Sequence, residues 1–218
     1  QAGVEILRGG GNAADAAAAV AFVLAVVEPY SSGIGGGGFA LLKNNNDIRF
    51  LDFREVAPKQ ATRDMYIRDG KADTKLSRDG ILSVAVPGAV AGYLELQEQY
   101  GKLSRQDVLK RAIEYALDGF AVTTRYQNYA KKRLTQLRKD PEISRIFLVK
   151  DKNGEYQAPA IGHVVKQPEL AQTLSLISKD GASAFYKGSL ADALAADMKA
   201  RGGIVSKQDL ETFKIRYR

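Results

Sequence analysis

The sequence predicts a helix-rich α/β chain with few strands. Long stretches begin with a capping residue or a proline and continue with helical spacing, whereas just two short runs have the character of strands. The 218 residues are 45% apolar and 26% charged, an ordinary globular composition that can bury a core. We treat 1–218 as a single domain because no repeat or low-complexity linker divides it. Because so few strands do not form a stable sheet by themselves, we expect this chain to be a piece of a larger protein. Its core would then be completed by strands that the chain does not contain.

The first helix is predicted over 13–27. Asn12 and Asp15 have the spacing of a capping box, and the alanines that follow allow close packing. Asp15 interrupts this apolar run, which is shorter than the roughly 20 residues that a bilayer needs. We therefore predict a buried helix that ends before Pro29, and no signal peptide or membrane span.

A glycine-rich loop over 33–38 follows, with residues that tolerate positive φ. Residues 39–43 and 48–53 are predicted strands, joined by a hairpin turn at 44–47. This assignment places Arg54 at the end of a strand. Further helices are predicted from Pro87 to Gly101, Ser104 to Gly119, Thr123 to Lys139 with a stop at Asp140-Pro141, Pro168 to Gly181, Ser189 to Gly203, and Ser206 onward.

The composition excludes several kinds of site. The chain has no cysteine, which rules out disulfides, thiolate metal sites and a cysteine nucleophile. Its one histidine rules out a polyhistidine metal site, and the apolar neighbours of His163 favour a structural role for it. We expect no metal and no cofactor.

The glycines at 33–38 match the G-x-G-x-x-G pattern of dinucleotide-binding turns. That turn needs a strand before the glycines and a helix after them, whereas here a helix precedes and a strand follows. We therefore predict a loop whose backbone passes close to a neighbouring strand or to a substrate.

A basic helix is predicted over 125–139, with six cations, no acid, and Tyr126 and Tyr129 among them. Basic residues interleaved with aromatic ones can bind nucleic acid, which gives an alternative function as a basic nucleic-acid-binding module. A solvated helix face explains the same pattern, and we expect no nucleic-acid partner.

Arg54 is the candidate binding residue. Its guanidinium can clamp a carboxylate through two parallel hydrogen bonds. Asp52 and Glu55 flank it and can orient it, whereas as a metal pair they are poorly placed, because alternate strand residues face opposite sides. The residues alone leave carboxylate binding and a structural ion pair as equal alternatives.

Several segments together resemble the large subunit of the γ-glutamyltranspeptidases. The resemblance lies in Gly-Gly-Asn-Ala-Ala-Asp at 10–15, the glycines at 33–38, Asp-Phe-Arg-Glu-Val-Ala-Pro at 52–58, Val-Pro-Gly-Ala-Val-Ala-Gly at 86–92, Phe-Tyr-Lys-Gly at 185–188 and 202–210. It implies an N-terminal-nucleophile hydrolase with a four-layer αββα sandwich. It further implies that Arg54 binds the α-carboxylate of a γ-glutamyl donor such as glutathione, with an amino acid, a peptide or water as acceptor.

The family's precursor cuts itself, and the new N-terminal threonine of the small subunit is the nucleophile. This chain lacks the family's opening strand and ends before the cleavage site, and Gln1 cannot act as a nucleophile. The resemblance therefore implies a zymogen activated by autocatalytic processing, no catalytic residue in this chain, a small-subunit partner, and no activity without it. It also implies a periplasmic or secreted location. A cephalosporin (glutaryl) acylase on the same scaffold and a non-catalytic family member stay open as alternatives.

Overall fold

The computed structural model describes residues 1–44 and 46–218, and it confirms a helix-rich α/β chain. The predicted turn at 44–47 includes Asn45, which lies outside the described residues. The helices are α1 (Ala2–Arg8), α2 (Ala13–Val27), α3 (Ala89–Tyr100), α4 (Arg105–Asp118), α5 (Thr124–Leu137), α6 (Pro141–Phe147), α7 (Pro168–Asp180), α8 (Ala182–Tyr186), α9 (Ser189–Ala200) and α10 (Lys207–Glu211), with a 3₁₀ turn at Ile81–Ser83. The strands are β1 (Phe39–Asn44), β2 (Asp47–Asp52), β3 (Ile67–Arg68), β4 (Lys71–Ala72), β5 (Phe120–Ala121), β6 (Val149–Lys150), β7 (Tyr156–Gln157), β8 (Val164–Val165) and β9 (Arg216–Tyr217).

Helix α2 begins with the predicted capping box. The Asn12 side chain accepts a hydrogen bond from the Asp15 amide at 3.1 Å, and the Asp15 carboxylate accepts one from the Asn12 amide at 2.9 Å. Asp140 and Pro141, predicted to end the basic helix, also begin α6. The Asp140 carboxylate accepts hydrogen bonds from the Glu142 and Ile143 amides and so caps α6. The basic helix itself ends earlier than predicted, at Leu137.

The helices pack around a common core. Helices α2, α3, α4 and α7 each contribute a fully buried side chain, namely Phe22, Leu94, Leu109 and Leu174. A second, smaller cluster joins α2 and α3 to the sheet through Ala14, Leu96, Leu51 and Phe53. The sheet is thereby held against the helices on one of its faces.

The largest sheet has the antiparallel order β1-β2-β9. Its face away from the helices is apolar and open: Phe39, Leu41 and Ile48 are 54%, 70% and 60% exposed. Leu41 pairs with Phe50 across the two strands, and the Phe39 and Phe50 rings stack at 5.6 Å. Among the described residues, no second sheet packs on this face.

Candidate functional site

Arg54 lies two residues beyond the end of β2, with its side chain 67% exposed. Its Nε lies 3.4 Å from Oε2 of Glu55, which is the only carboxylate within 4 Å of it in the part of the chain that the structure describes. The side chain borders two cavities of about 480 and 690 Å³. The guanidinium is therefore oriented from one side and still free to bind a ligand.

The backbone before Arg54 is fixed by Phe53. Phe53 exchanges backbone hydrogen bonds with Gly38 at 3.0 and 3.3 Å, and its buried ring meets Tyr93 edge-on at 5.7 Å. With Phe53 held in the core and Arg54 exposed, the arginine projects from an ordered strand end. Such a base suits a side chain that has to meet a ligand in one position.

The glycine-rich loop passes directly over this strand end. The Gly36 carbonyl accepts hydrogen bonds from the Gly88 and Ala89 amides, both at 2.8 Å, at the start of α3. A Cβ on Gly37 would lie 2.6 Å from the Phe53 carbonyl oxygen. The prediction of a close backbone approach is confirmed. None of the glycines of 33–38 uses its tolerance of positive φ. These glycines are needed for space.

Glu55 lies beneath this loop with its side chain 27% exposed. Its Oε2 is buried and accepts no hydrogen bond from any described residue. Burial, and then the negative charge of Glu55, raise the pKa of the neighbouring Tyr93. Because no donor bonds this oxygen, its negative charge is compensated by the Arg54 guanidinium nearby. The charges of Arg54 and Glu55 therefore depend on each other.

Asp52 is buried, and it does not contact the Arg54 guanidinium. Its Oδ1 accepts a hydrogen bond from the Arg54 backbone amide at 3.1 Å, and its Oδ2 accepts one from Nε of Arg218 at 2.9 Å. The Arg218 guanidinium also forms an ion pair with Oδ2 at 2.7 Å. The Arg54 amide, and then the Arg218 side chain, hold the pKa of Asp52 below its ordinary value. Asp52 thus orders the backbone of Arg54, whereas Glu55 contacts its side chain.

Two further arginines line the smaller cavity, and sequence reasoning did not single them out. Arg216 and Arg218 lie on or beside β9, which pairs with β2. Arg218 is 166 residues from Asp52 along the chain, so no local pattern connects them. With Arg54, they place three arginines against the carboxylates of Asp52 and Glu55 in the lining of this cavity, a net charge of +1 that suits an anionic ligand.

The remaining sequence candidates lie elsewhere. His163 is exposed in the turn before β8, so the packed structural histidine that its neighbours suggested is not observed. Among the described residues, no group of three or more acidic or histidine side chains could hold a metal ion. No helix in that part of the chain is long and apolar enough to cross a bilayer.

Comparison with known proteins gives consistent matches. The gamma-glutamyltranspeptidase family model matches residues 1–218. The chain is 43% identical over 217 residues to a glutathione hydrolase proenzyme from Pseudomonas sp. strain A14, covering 98% of this chain and 37% of that protein. The Helicobacter pylori gamma-glutamyltranspeptidase structure superposes with a TM-score of 0.93 at 38% identity, covering 100% of this chain and 62% of that one. The structure of a cephalosporin acylase from Bacillus halodurans superposes with a TM-score of 0.85 at 32% identity, covering 100% of this chain and 40% of that one.

The chain spans about a third of the length of the curated relatives it matches, from 32% to 37% in the first three. About two thirds of the length of those relatives has no counterpart in these 218 residues, so a function that needs that part is not carried by this chain alone.

Proposed function

Because this chain belongs to the γ-glutamyltranspeptidase family, we propose that it supplies the carboxylate-binding part of an enzyme acting on glutathione-like donors. The enzyme would transfer or hydrolyse the γ-glutamyl group of the donor. Residues 1–218 would act as one domain of a larger αββα precursor. The single observation that carries the proposal is the exposed guanidinium of Arg54 at an ordered strand end, where Glu55 is its one carboxylate partner among the described residues.

In this proposal Arg54 donates two parallel hydrogen bonds to the α-carboxylate of the donor. Glu55 orients the guanidinium from the side opposite the ligand, and Asp52 holds the backbone amide of Arg54. Both are positioning residues, since neither would touch the substrate. Fixing the carboxylate in this way also fixes the γ-carbonyl carbon relative to the nucleophile.

The nucleophile would be the N-terminal threonine hydroxyl of a small subunit. Its oxygen would attack the γ-carbonyl carbon, and its proton would pass, with help from the free α-amino group, to the departing amine. Water or an acceptor amine would then cleave the resulting ester. The word proenzyme in the names of several relatives supports a precursor that is processed, as does the share of their length that this chain covers.

The small subunit would pack on the open face of the β1-β2-β9 sheet. The Phe39, Leu41 and Ile48 side chains on this face are more than half exposed, so they offer an apolar surface for a partner to cover. A second sheet on this face gives the αββα layering that the family resemblance implies. A periplasmic or secreted location rests on that resemblance alone.

The test is an Arg54→Lys substitution in the assembled enzyme, assayed with γ-glutamyl-4-nitroanilide. Lysine keeps the charge but loses the planar fork. Loss of one charge-assisted hydrogen bond costs on the order of 1.5–3 kcal/mol, so kcat/KM should fall about 10- to 150-fold, mainly through KM.

The matched control is Arg49→Lys, because Arg49 is another exposed arginine, lying on β2 with one carboxylate partner, Asp47, at 3.0 Å. The control should keep the parent KM. An unchanged KM in Arg54→Lys would assign Arg54 to a structural ion pair. Preferred turnover of glutaryl-4-nitroanilide would favour the cephalosporin acylase alternative instead.

A further inference from the structure

The basic helix singled out in the sequence turns its tyrosines toward a cavity. This cavity, of about 270 Å³, lies between α5, α6 and the segment just after α2. Its volume is near the lower limit of the roughly 300–1,000 Å³ typical of small-molecule sites. Its lining is mostly apolar and aromatic: Pro29, Tyr30, Tyr126, Tyr129, Ala130, Arg133, Leu137, Ile143 and Phe147.

Three tyrosine rings shape one wall of the cavity. The Tyr30 and Tyr129 rings stack at 5.1 Å with an interplanar angle of 6°, and Tyr126 meets Tyr30 edge-on at 5.9 Å. The buried Tyr126 hydroxyl donates to the Phe147 carbonyl at 3.1 Å, and burial raises its pKa so that it stays protonated. The wall is therefore ordered, and its geometry suits a further planar ring, either offset-stacked or edge-on.

The charged side chain that lines the cavity is an arginine. Arg133 lines it and pairs with Asp79, which uses only some of the five guanidinium donors. The Arg125 guanidinium lies 5.8 Å from the centroid of the Tyr30 ring, and no carboxylate among the described residues lies within 4 Å of it. A ligand with one negative charge thus meets Arg133 in the lining of the cavity, whereas Arg125 and the Glu28 carboxylate both lie near Tyr30 and outside that lining.

We propose that this cavity binds a small planar aromatic anion, with its ring against the tyrosines and its charged group toward Arg133. Nucleic acid fits the geometry less well. Tyr126 is buried with its hydroxyl satisfied, so it offers no face on which an exposed base could stack. The basic helix α5, which suggested nucleic-acid binding in the sequence, thus lines one side of the proposed small-molecule site.

The probe is 2-naphthoate, titrated into the assembled full-length protein by calorimetry, with neutral 2-naphthamide as the comparison ligand. We expect saturable binding of the anion at submillimolar concentration and at least tenfold weaker binding of the amide. Ala130→Leu fills the cavity while keeping its rings and charges, so it should abolish binding. Tyr129 is 42% exposed, so Tyr129→Ala should fold normally and weaken binding at least tenfold.

The charge control compares two residues of α5. Arg133→Gln should remove most of the preference for the anion over the amide. Lys131→Gln makes the same charge change at an exposed position that does not line the cavity, and it should leave binding unchanged. Absent binding, or equal binding by the Tyr129→Ala and parent proteins, would overturn the proposal. Salt-sensitive binding of a single-stranded oligonucleotide that both Gln substitutions weaken equally would replace it with the nucleic-acid alternative.

Discussion

Replacing Asp15 by alanine should destabilise the protein severely. The Asp15 side chain is completely buried and joins the start of α2 to the turn after α3. Its carboxylate accepts hydrogen bonds from the backbone amides of Asn12 at 2.9 Å, Lys102 at 2.8 Å and Leu103 at 3.3 Å. The Gln97 side-chain amide donates to it at 3.3 Å. Alanine removes every one of these acceptors at once.

The magnitude follows from the two shortest hydrogen bonds. A buried donor left without a partner costs about 1–3 kcal/mol, so losing the Asn12 and Lys102 bonds should lower the free energy of unfolding by about 2–6 kcal/mol. For a domain of this size each 1 kcal/mol shifts Tm by about 2–4 °C, so a central loss of about 4 kcal/mol lowers Tm by about 8–16 °C.

The pH dependence of unfolding tests the same reasoning. Burial raises the pKa of the Asp15 carboxyl, but the hydrogen bonds lower it by more, so its pKa in the folded protein is below the ordinary 3.8. A lowered pKa means that the stabilisation is complete above pH about 3.8 and is lost as the pH falls through the folded value. The Tm difference between parent and variant should therefore shrink below pH about 3.8.

Thermal unfolding by circular dichroism at neutral and acidic pH measures both effects. The matched control is Asp64→Ala, because that side chain is 76% exposed and its nearest cation lies 3.9 Å away. The control should stay within about 0.5 kcal/mol of the parent. A Tm shift of less than about 2 °C for Asp15→Ala, or a shift that does not depend on pH, would refute the reasoning.

Two further predictions concern the site. Gly37→Ala places a Cβ 2.6 Å from the Phe53 carbonyl oxygen and 2.7 Å from the Glu55 amide, so it should displace Arg54 and lower kcat/KM for γ-glutamyl-4-nitroanilide at least tenfold. Gly35→Ala, whose Cβ meets nothing within 4 Å, is the control and should keep the parent value. The purified 218-residue chain should not hydrolyse the anilide, because its nucleophile is proposed to lie on the small subunit, and measurable turnover would contradict that assignment.

The features that could be predicted from the sequence are those that neighbouring residues determine. The capping box of Asn12 and Asp15 is observed as predicted, and so is the cap of α4 by Ser104. Cap signals are local because the side chain bonds an amide two or three residues away. Pro87 shows where such signals fail: it precedes the cap of α3 instead of lying in its first turn.

The features that sequence reasoning missed depend on contacts between distant residues. Strand β9 exists because it pairs with β2, and a two-residue strand has no periodicity of its own to recognise. The pairing of Asp52 with Arg218 depends on the same contact. The sequence predicts that the loop at 33–38 passes close to a strand or a substrate, whereas the neighbour itself, the strand end from Phe53 to Glu55 against Gly37, follows only from the fold.

The open sheet face bears on how the proposed assembly forms. Phe39, Leu41 and Ile48 are already partly buried, so covering what remains exposed contributes about 1–2 kcal/mol each, or roughly 3–6 kcal/mol together. When two separate chains associate, their loss of translational and rotational freedom costs an estimated 4–15 kcal/mol, and this cost offsets most or all of that gain. A single precursor avoids this loss, because the second sheet is already tethered when the first one folds. In the proposed assembly the apolar face is therefore best covered before any cleavage, and Arg54 would meet the second subunit in a site built while the two were one chain.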